Sequence, residues 1–289
     1  MKGTTKNGDN GVRKNNLGGK IVVITGASSG IGKQTAIELM DKCPKAIILV
    51  ARTESKLVEL KQMLEARKGS IDLEIVIYSC DVSIKDKVLK MGTSILERFG
   101  HVDLLINNAG FGEFGKVQDQ RIEEIENVMR TNYLGMVYCT KVFLSPMVAR
   151  HSGHIVNVAS LAASFGVAGM AGYCASKYAM LGFSESLNHE LYGTGVSITV
   201  VSPIGVKTNF FKDQSFEDHK PNYTGFMLDA RTVTKAILAA SNSRRFEIMV
   251  PFYMRVGVWL KHTFPFAINP ITGALFRRQL RKPDRLSRG

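Results

Sequence analysis

The sequence predicts an α/β fold built on a doubly wound, seven-stranded parallel sheet with helices on both faces. Seven short runs rich in Val, Ile and Leu recur along the chain, and helical stretches separate them. The runs are almost unbroken apolar sequence, whereas a strand with one exposed face alternates apolar and polar residues. Strands that crossover helices cover on both sides have this character, so the alternation of strand and helix indicates a parallel sheet.

The predicted elements follow one another up to residue 250. The strands are predicted at residues 20–25, 46–51, 73–79, 102–106, 154–160, 197–202 and 246–250. The main segments between them, 30–42, 53–66, 83–99, 119–149 and 174–192, are long enough for crossover helices. No internal repeat, linker or composition shift precedes residue 251, so residues 19–250 are predicted to form one domain.

Both ends of the chain differ from this domain. Residues 1–18 are polar, rich in Gly and Asn, and lack the apolar run of a signal peptide, so we expect a disordered tail. Residues 251–289 are apolar and then basic. One face of a predicted helix carries Phe252, Val256, Trp259 and Leu260. This helical extension has four open roles: packing onto the domain, closing over a lipophilic substrate, contacting another subunit, or making peripheral contact with an anionic membrane.

The net charge of +13 is concentrated at the two ends of the chain. Residues 1–20 carry +4 and residues 277–289 carry +5, which leaves +4 for the body between them. A nucleic-acid footprint needs a basic stripe with aromatic residues on the folded body, so no nucleic-acid partner is predicted. The sequence also lacks a run of about 18 uncharged apolar residues, so no membrane-spanning helix is predicted.

The cysteine and histidine positions argue against a metal centre. The four cysteines are far apart and form no C-x-x-C pair: Cys43, Cys80, Cys139 and Cys174. This spacing also argues against a disulfide framework and is typical of a reducing cytoplasm, where we expect the protein to reside. His151 and His154 are three residues apart without an acid or cysteine near them, so no metal site is predicted there.

A glycine-rich turn follows the first predicted strand. Gly26, Gly30 and Gly32 in "TGASSGIG" have the spacing G-x-x-x-G-x-G where a strand gives way to a helix. Glycine allows a tight turn and a close approach of the backbone to phosphate, and the helix N-terminus offers free N–H groups and a positive dipole end. This context predicts a dinucleotide site and a Rossmann-type fold.

The end of the second predicted strand bears on the choice of dinucleotide. NAD sites usually place an acid there to accept from the ribose 2′-hydroxyl, whereas a 2′-phosphate requires a cation. Here Ala51 takes the place of the acid and Arg52 follows it. A planar guanidinium can bind a phosphate through two hydrogen bonds, so the sequence predicts NADP(H). The alternative is that Arg52 is a solvated loop residue.

Five motifs occur in a fixed order: "TGASSGIG" (25–32), "DV" (81–82), "NNAG" (107–110), Ser160 after "IVNVA", and "YCASK" (173–177). By these motifs, residues 19–210 resemble a single-domain short-chain dehydrogenase/reductase. One position departs from the family pattern. The family usually has Pro-Gly after the sixth strand and a Thr four residues past that Gly, whereas here Ile204 follows Pro203 and Thr208 comes next. The shape of this loop therefore stays open.

The predicted catalytic residues lie around "YCASK". Tyr173 and Lys177 are four residues apart on a predicted helix, so they share one face. A carbonyl that accepts hydride develops charge on its oxygen and needs a proton donor and a second hydrogen-bond donor. The resemblance implies that Tyr173 gives the proton and that Lys177 lowers the pKa of its phenol toward neutrality. It also implies that Ser160 binds the substrate oxygen and that Asn132 completes a proton relay. Alternatively, Ser160 satisfies backbone groups and Asn132 is a buried polar residue of a helix.

The resemblance also implies a set of cofactor contacts. The phosphate turn contributes Gly26, Ser28, Ser29, Gly30, Ile31 and Gly32, and the second strand contributes Arg52. The adenosine end is bordered by Asp81, Val82, Asn108, Ala109 and Gly110. The nicotinamide end is bordered by Tyr173, Lys177, Pro203 and Thr208.

Together these features predict an NADPH-dependent reductase or dehydrogenase that interconverts a ketone or aldehyde and an alcohol. The apolar extension favours a hydrophobic substrate such as a steroid, a fatty-acyl ketone or another lipid carbonyl, and the polar segment 211–225 suits a mobile lid. The resemblance further implies a homo-oligomer, either a dimer or a tetramer. Two alternatives stay open: a sensor or scaffold that binds NADPH without turnover, and a nucleotide-sugar epimerase or dehydratase, which usually needs a larger C-terminal domain.

Overall fold

The computed structural model describes residues 17–212, 214–216, 227–241, 243, 245–277 and 280. The predicted N-terminal tail lies almost entirely outside this range, as do most of the predicted lid and the last nine residues of the basic terminus. Leu17 is described and is 4% exposed, packed in the core, and its carbonyl accepts a hydrogen bond from the N–H of Lys20. The folded domain therefore includes Leu17, two residues before the predicted boundary.

The seven-stranded parallel sheet predicted from the apolar runs is confirmed. Its strands are β1 (Ile21–Thr25), β2 (Ala46–Ala51), β3 (Glu74–Ser79), β4 (Leu104–Asn107), β5 (Gly153–Val158), β6 (Val196–Pro203) and β7 (Glu247–Val250). They pair in the order β3-β2-β1-β4-β5-β6-β7, and all pairs are parallel. The order reverses between β1 and β4, and such a switch point opens a ligand crevice at the carboxyl ends of the strands.

Helices cover both faces of the sheet. In the described chain they are α1 (Gly30–Leu39), α2 (Glu54–Lys68), α3 (Lys85–Phe99), α4 (Ile122–Met129), α5 (Gly135–Ala149), α6 (Ala171–Glu190), α7 (Ala230–Ala240), α8 (Met254–Thr263) and α9 (Pro265–Arg277). Successive strand residues enter opposite cores: Val22 packs in the core with α1, α2 and α7, and Val23 in the core with α3, α5 and α6. Burial on both faces explains why the strands show no polar alternation.

One predicted helix is divided in the structure. The sequence suggests a helix over 119–149, but α4 and α5 are joined by a π-helical segment, Arg130–Leu134. The N–H of Gly135 bonds to the carbonyl of Arg130, five residues earlier rather than four. A π segment inserts one residue into the helical repeat and often marks a functional position. Asn132 lies in this segment and is fully buried.

Candidate active site

The glycine turn between β1 and α1 has the geometry that the sequence predicts. Gly26 has a φ of +66°, and a Cβ on it would come within 2.8 Å of the Cα of Ala109. A Cβ on Gly32 would come within 2.3 Å of the carbonyl oxygen of Gly26. Larger residues at these two positions would force the turn apart. The turn is therefore compact because both positions are glycine.

The N-terminus of α1 is open toward the crevice. Ser29 precedes the helix, but its side chain makes no capping hydrogen bond, and the first turn contains no acidic residue. The orphan N–H groups of that turn and the positive end of the helix dipole favour an anion. This arrangement fits the pyrophosphate of a dinucleotide.

A cavity of about 430 Å³ extends from the glycine turn across the carboxyl ends of the strands. It is lined by these predicted cofactor residues: Gly26, Ser28, Ser29, Gly30, Ile31, Arg52, Asp81, Val82, Asn108, Ala109, Gly110, Tyr173, Lys177 and Thr208. Two predicted residues do not line it. Gly32 lies behind the turn against Gly26, and Pro203 lines a second cavity.

Asn108 and Thr25 hold the turn against the end of β4. The Asn108 side-chain amide donates to the carbonyls of Thr25, at 3.0 Å, and Gly26, at 3.2 Å. The Thr25 hydroxyl accepts from the N–H groups of Asn108 and Ala109. Asn108 therefore lines the cavity chiefly as a positioning residue, because its amide protons bond the backbone of the turn.

The adenosine end of the cavity contains a second cation that the sequence analysis missed. Lys56 lines the cavity together with Arg52, which lies four residues earlier in the loop between β2 and α2. The second basic residue of "RTESK", directly after the second strand, was the available signal. Asp81 also lines this end, and its Oδ1 accepts from the N–H and hydroxyl of Ser83. Both carboxylate contacts fix Asp81 at the start of its loop.

Tyr173 and Lys177 lie at the far end of the same cavity, and Ser160 lines the second cavity that Tyr173 also borders. Helix α6 places the Lys177 Nζ 5.6 Å from the centre of the Tyr173 ring. A side-chain hydrogen bond with Ser160 lowers the pKa of the Tyr173 phenol. Lys177 is 4% exposed, and its Nζ donates to the carbonyl of Val158 at 3.0 Å. The fold thus brings together the three residues that the motifs single out.

Burial shifts the pKa values of Tyr173 and Lys177 in opposite directions. Burial raises the pKa of Tyr173 to about 12, although its hydrogen bond with Ser160 acts in the opposite direction. Burial also lowers the pKa of Lys177 to about 7. Desolvation disfavours the charged form of each group. That Lys177 brings the phenol toward neutrality stays a prediction.

The side chain of Asn132 hydrogen-bonds the loop after β4 and does not bond to Lys177. Its Oδ1 accepts from the N–H of Phe111, and its Nδ2 donates to the carbonyl of Phe111 and the hydroxyl of Ser176. A Cβ on Gly110 would lie 3.0 Å from the Asn132 Oδ1 and 3.7 Å from the Lys177 Nζ. The two side chains therefore both lie next to Gly110. These contacts make the Asn132 side chain a positioning group, and its place in a proton relay stays a prediction.

The loop after β6 accommodates Ile204 where the family pattern has glycine. Its N–H bonds to the carbonyl of Val250, and Gly205 follows at the next position. Thr208 still reaches the glycine turn, since a Cβ on Gly30 would lie 3.2 Å from the Thr208 side chain. Thr208 therefore still lines the cavity, although Ile204 replaces the glycine of the family pattern.

A second cavity of about 500 Å³ adjoins Tyr173, and Ile31 of the glycine turn also borders it. Its wall includes Ser160, the loop after it, the loop after β6 and the C-terminal helices α8 and α9. Tyr173 and Phe210 line both cavities, and their rings pack edge to face at 5.3 Å. Phe210 was not predicted, because a single aromatic residue in a loop has no distinctive sequence signal.

The described part of the predicted lid is packed rather than open. Phe216 is buried and contacts Phe114, Phe210 and Phe211 through tilted or edge-to-face rings. Residues 217–225 lie outside the described residues. The described portion thus forms an aromatic cover over Tyr173.

The other candidates have local structural roles. His154 is half-buried, desolvation lowers its pKa to about 4, and its Nε2 bonds to the hydroxyl of Thr199. His151 bonds to the carbonyl of Thr194, and Cys174 accepts from the N–H of Val167. Within the described residues, no three His, Cys, Asp or Glu side chains form a group suited to a metal ion. None of the helices described is both long and apolar enough to span a bilayer.

Hydride transfer at a carbonyl needs a dinucleotide held beside a proton donor, and one edge of this sheet provides both. The fold and the site therefore define a nicotinamide-dependent oxidoreductase that acts on CH–OH or carbonyl groups. Comparison with known proteins gives the particular family. Residues 20–219 match the family described as short chain dehydrogenase. The chain belongs to that family.

Relatives and solved structures agree with this assignment. The 3-ketodihydrosphingosine reductase of Bos taurus is 37% identical over 225 residues, which cover 76% of this chain and 65% of the relative. A short chain dehydrogenase/reductase from Burkholderia phymatum in complex with NAD has a TM-score of 0.75 at 28% identity, covering 86% of this chain and 94% of its own. A metagenomic short-chain oxidoreductase in complex with NADP has a TM-score of 0.68 at 28% identity, covering 81% and 97%.

Proposed function

We propose that the protein is an NADPH-dependent reductase of apolar ketones or aldehydes. One observation carries the proposal: Tyr173 lies in the wall shared by the two cavities, and Ser160 lines the second cavity beside it. A carbonyl in the second cavity would thus meet a proton donor at the point where the dinucleotide cavity ends. A protein that only binds a cofactor has no use for this arrangement.

The chain's own residues account for the proton chemistry. The bound nicotinamide supplies the hydride. Ser160 Oγ accepts from the N–H of Ala162, and its bond to the carbonyl of Pro203 is long, at 3.5 Å, so its proton can turn to the substrate oxygen. Tyr173 then gives its phenolic proton to the oxygen that becomes the alcohol. Lys177, when protonated, stabilises the phenolate that is left behind.

The pKa of Tyr173 suits the role of proton donor. A phenol with a pKa of about 12 stays protonated at neutral pH and can donate to a developing alkoxide. With NADPH as the proposed reductant, we therefore propose that the protein reduces the carbonyl and that Tyr173 supplies the proton.

The second cavity supports an apolar substrate. Aromatic and aliphatic side chains dominate its wall, and none of the described residues that line it is acidic or basic. An anionic headgroup would be desolvated there without a partner. The relative from Bos taurus is named for the reduction of 3-ketodihydrosphingosine. We therefore propose a lipid-like carbonyl compound with a long apolar chain.

A series of ketones of increasing chain length tests the function and the substrate class together. NADPH oxidation is followed by absorbance, and kcat/KM is expected to rise about fourfold per added methylene until the cavity is filled. A flat series would contradict the apolar substrate. NADPH binding without turnover across a broad panel of ketones and aldehydes would contradict the reductase and favour the sensor or scaffold.

The preference for NADPH is proposed from Arg52 and Lys56. Both line the adenosine end of the cavity, and Ala51 offers no carboxylate to a ribose 2′-hydroxyl. Arg52→Ala is expected to weaken NADPH binding at least about tenfold and to change NADH binding less than about twofold, because charged hydrogen bonds to the 2′-phosphate are lost. Fluorescence titration of each reduced cofactor measures both dissociation constants.

The matched control for Arg52 is Lys90→Ala. Lys90 is exposed on α3 and does not line the cavity, yet its replacement removes the same single charge. It is expected to leave both dissociation constants unchanged. If wild type bound NADH more tightly than NADPH, or Arg52→Ala kept full NADPH affinity, the preference would be wrong.

A further inference from the structure

The exposed apolar side chains are concentrated in one part of the fold. Among the described residues, seventeen large hydrophobic side chains are exposed, and eight of them fall between residues 252 and 275. We call residues 252–277, which contain α8 and α9, the C-terminal helix pair. Phe266 is 79% exposed and Trp259 is 60% exposed. Such a concentration on one surface indicates an interaction site, whereas isolated exposed hydrophobic residues do not.

The charge of this segment is of one sign. The sequence has no Asp or Glu between residues 251 and 283. The same stretch contains the basic residues Arg255, Lys261, Arg277, Arg278, Arg281 and Lys282. Aromatic and aliphatic side chains combined with basic ones, without acids, are typical of helices that lie in the interface of an anionic membrane.

Lys261 fixes the helix pair to the catalytic domain. Its Nζ donates to the hydroxyl of Tyr178 at 2.9 Å and to the carbonyl of Ser164, and it lies over the rings of Phe165 and Tyr178. Tyr178 belongs to α6, the helix that carries Tyr173 and Lys177. A surface formed by the helix pair therefore has a defined orientation relative to the active site.

The inner side of the helix pair closes the second cavity. Tyr253, Met254, Thr272, Leu275 and Phe276 line that cavity. Leu275 is also 55% exposed, so it belongs both to the cavity wall and to the outer apolar surface. The two apolar regions are therefore continuous at α9. A lipid leaving the outer surface would enter the cavity without crossing a charged rim at this residue.

We propose that the C-terminal helix pair lies on the surface of an anionic lipid bilayer, and that the substrate cavity opens toward this surface and takes its substrate from the lipid. The proposal that the substrate enters from the lipid rests on the proposed function. The proposal that the C-terminal helix pair binds the bilayer does not. A second copy of the chain fits this surface less well. Two such surfaces face to face would bring like charges together with no acid in the segment to pair them.

Trp259 provides a direct test, because it is the only tryptophan of the chain. Large vesicles of phosphatidylcholine containing a minority of phosphatidylglycerol are added to the full-length protein. We expect the protein to co-sediment, the Trp259 emission to shift to shorter wavelength, and both effects to weaken in salt on the order of 0.5 M. Absence of co-sedimentation, or co-sedimentation without a shift of Trp259, would overturn the docking surface.

A double variant and its control localise the effect. Val256→Glu with Phe266→Glu places two acids on the outer surface away from the cavity lining, and we expect vesicle affinity to fall at least about tenfold. Tyr192→Glu is the control, since Tyr192 is 93% exposed and lies just before the amino end of β6, whereas the cavities open at the carboxyl ends of the strands. It is expected to bind vesicles like wild type. Turnover of a short, water-soluble ketone confirms that each variant is folded.

The outcomes separate docking from function. If vesicle binding fails while the soluble ketone is still reduced, docking is wrong and the proposed function stands. If vesicles bind but no carbonyl is reduced, docking stands and the proposed function fails. Entry of the substrate from the bilayer is supported if the double variant reduces a long-chain ketone embedded in vesicles at least about tenfold more slowly than wild type does. Its rate on the soluble ketone should equal that of wild type. A lipid-free dimer that the double variant dissociates would overturn the proposal in favour of a second copy.

Discussion

Tyr173→Phe is expected to reduce kcat for carbonyl reduction by about 10³-fold, within the range for loss of a general acid. The phenylalanine ring keeps the packing against Phe210, and only the proton donor and its bond to Ser160 are lost. The dissociation constant for NADPH is therefore expected to change less than about threefold. Steady-state kinetics on a long-chain ketone, together with a cofactor titration, measures both quantities.

The same substitution at an exposed tyrosine provides the control. Tyr192→Phe removes one hydroxyl at a position that lines neither cavity, so activity is expected to equal that of wild type. Equal NADPH oxidation by wild type and Tyr173→Phe would contradict the assigned proton donor. A large loss of NADPH affinity in Tyr173→Phe would instead show that the hydroxyl serves binding rather than catalysis.

Lys177→Met is expected to stabilise the protein while lowering kcat by about 10²–10³-fold, because the phenolate loses its neighbouring charge. Lys177 is almost fully buried, and its pKa of about 7 reflects the cost of burying an ammonium. An apolar side chain of similar length removes that cost. The free energy of unfolding at pH 7 is expected to rise by about 1–3 kcal/mol, as for other replacements of buried charges.

The gain in stability has a defined dependence on pH. Lys177 titrates near 10.5 in the unfolded chain and at about 7 in the folded protein. At or below about pH 7 both states are charged and the burial cost is complete, whereas at higher pH only the unfolded lysine stays protonated. The advantage of Lys177→Met is therefore largest at or below pH 7 and shrinks as the pH rises toward about 10.

Urea unfolding of both proteins at several pH values measures this difference. Lys141→Met is the matched control, because Lys141 is exposed on α5 and carries the same substitution. Its unfolding free energy is expected to differ little from that of wild type at every pH. A Lys177→Met variant that is less stable than wild type at pH 7 would show that the bond to Val158 outweighs the desolvation cost.

Several features of the site could not be predicted from the sequence. The π segment that buries Asn132 depends on how α4 and α5 pack, and its residues have ordinary helical character. Phe210 meets Tyr173 only because the loop after β6 folds back over the sheet edge. Lys56 is a second basic residue soon after β2, but only the cavity shows that it faces the same space as Arg52.

The sequence by itself determined the sheet, the glycine turn and the order of the catalytic motifs. These depend on local pattern: unbroken apolar strands, glycines at a strand-to-helix turn, and a helical spacing that places Tyr173 and Lys177 on one face. Only the tertiary structure decided how deeply that pair is buried and which side of the C-terminal extension is exposed. Both depend on residues distant in sequence, because burial shifts the two pKa values, and because the domain covers only the inner side of α8 and α9 and leaves the outer side exposed.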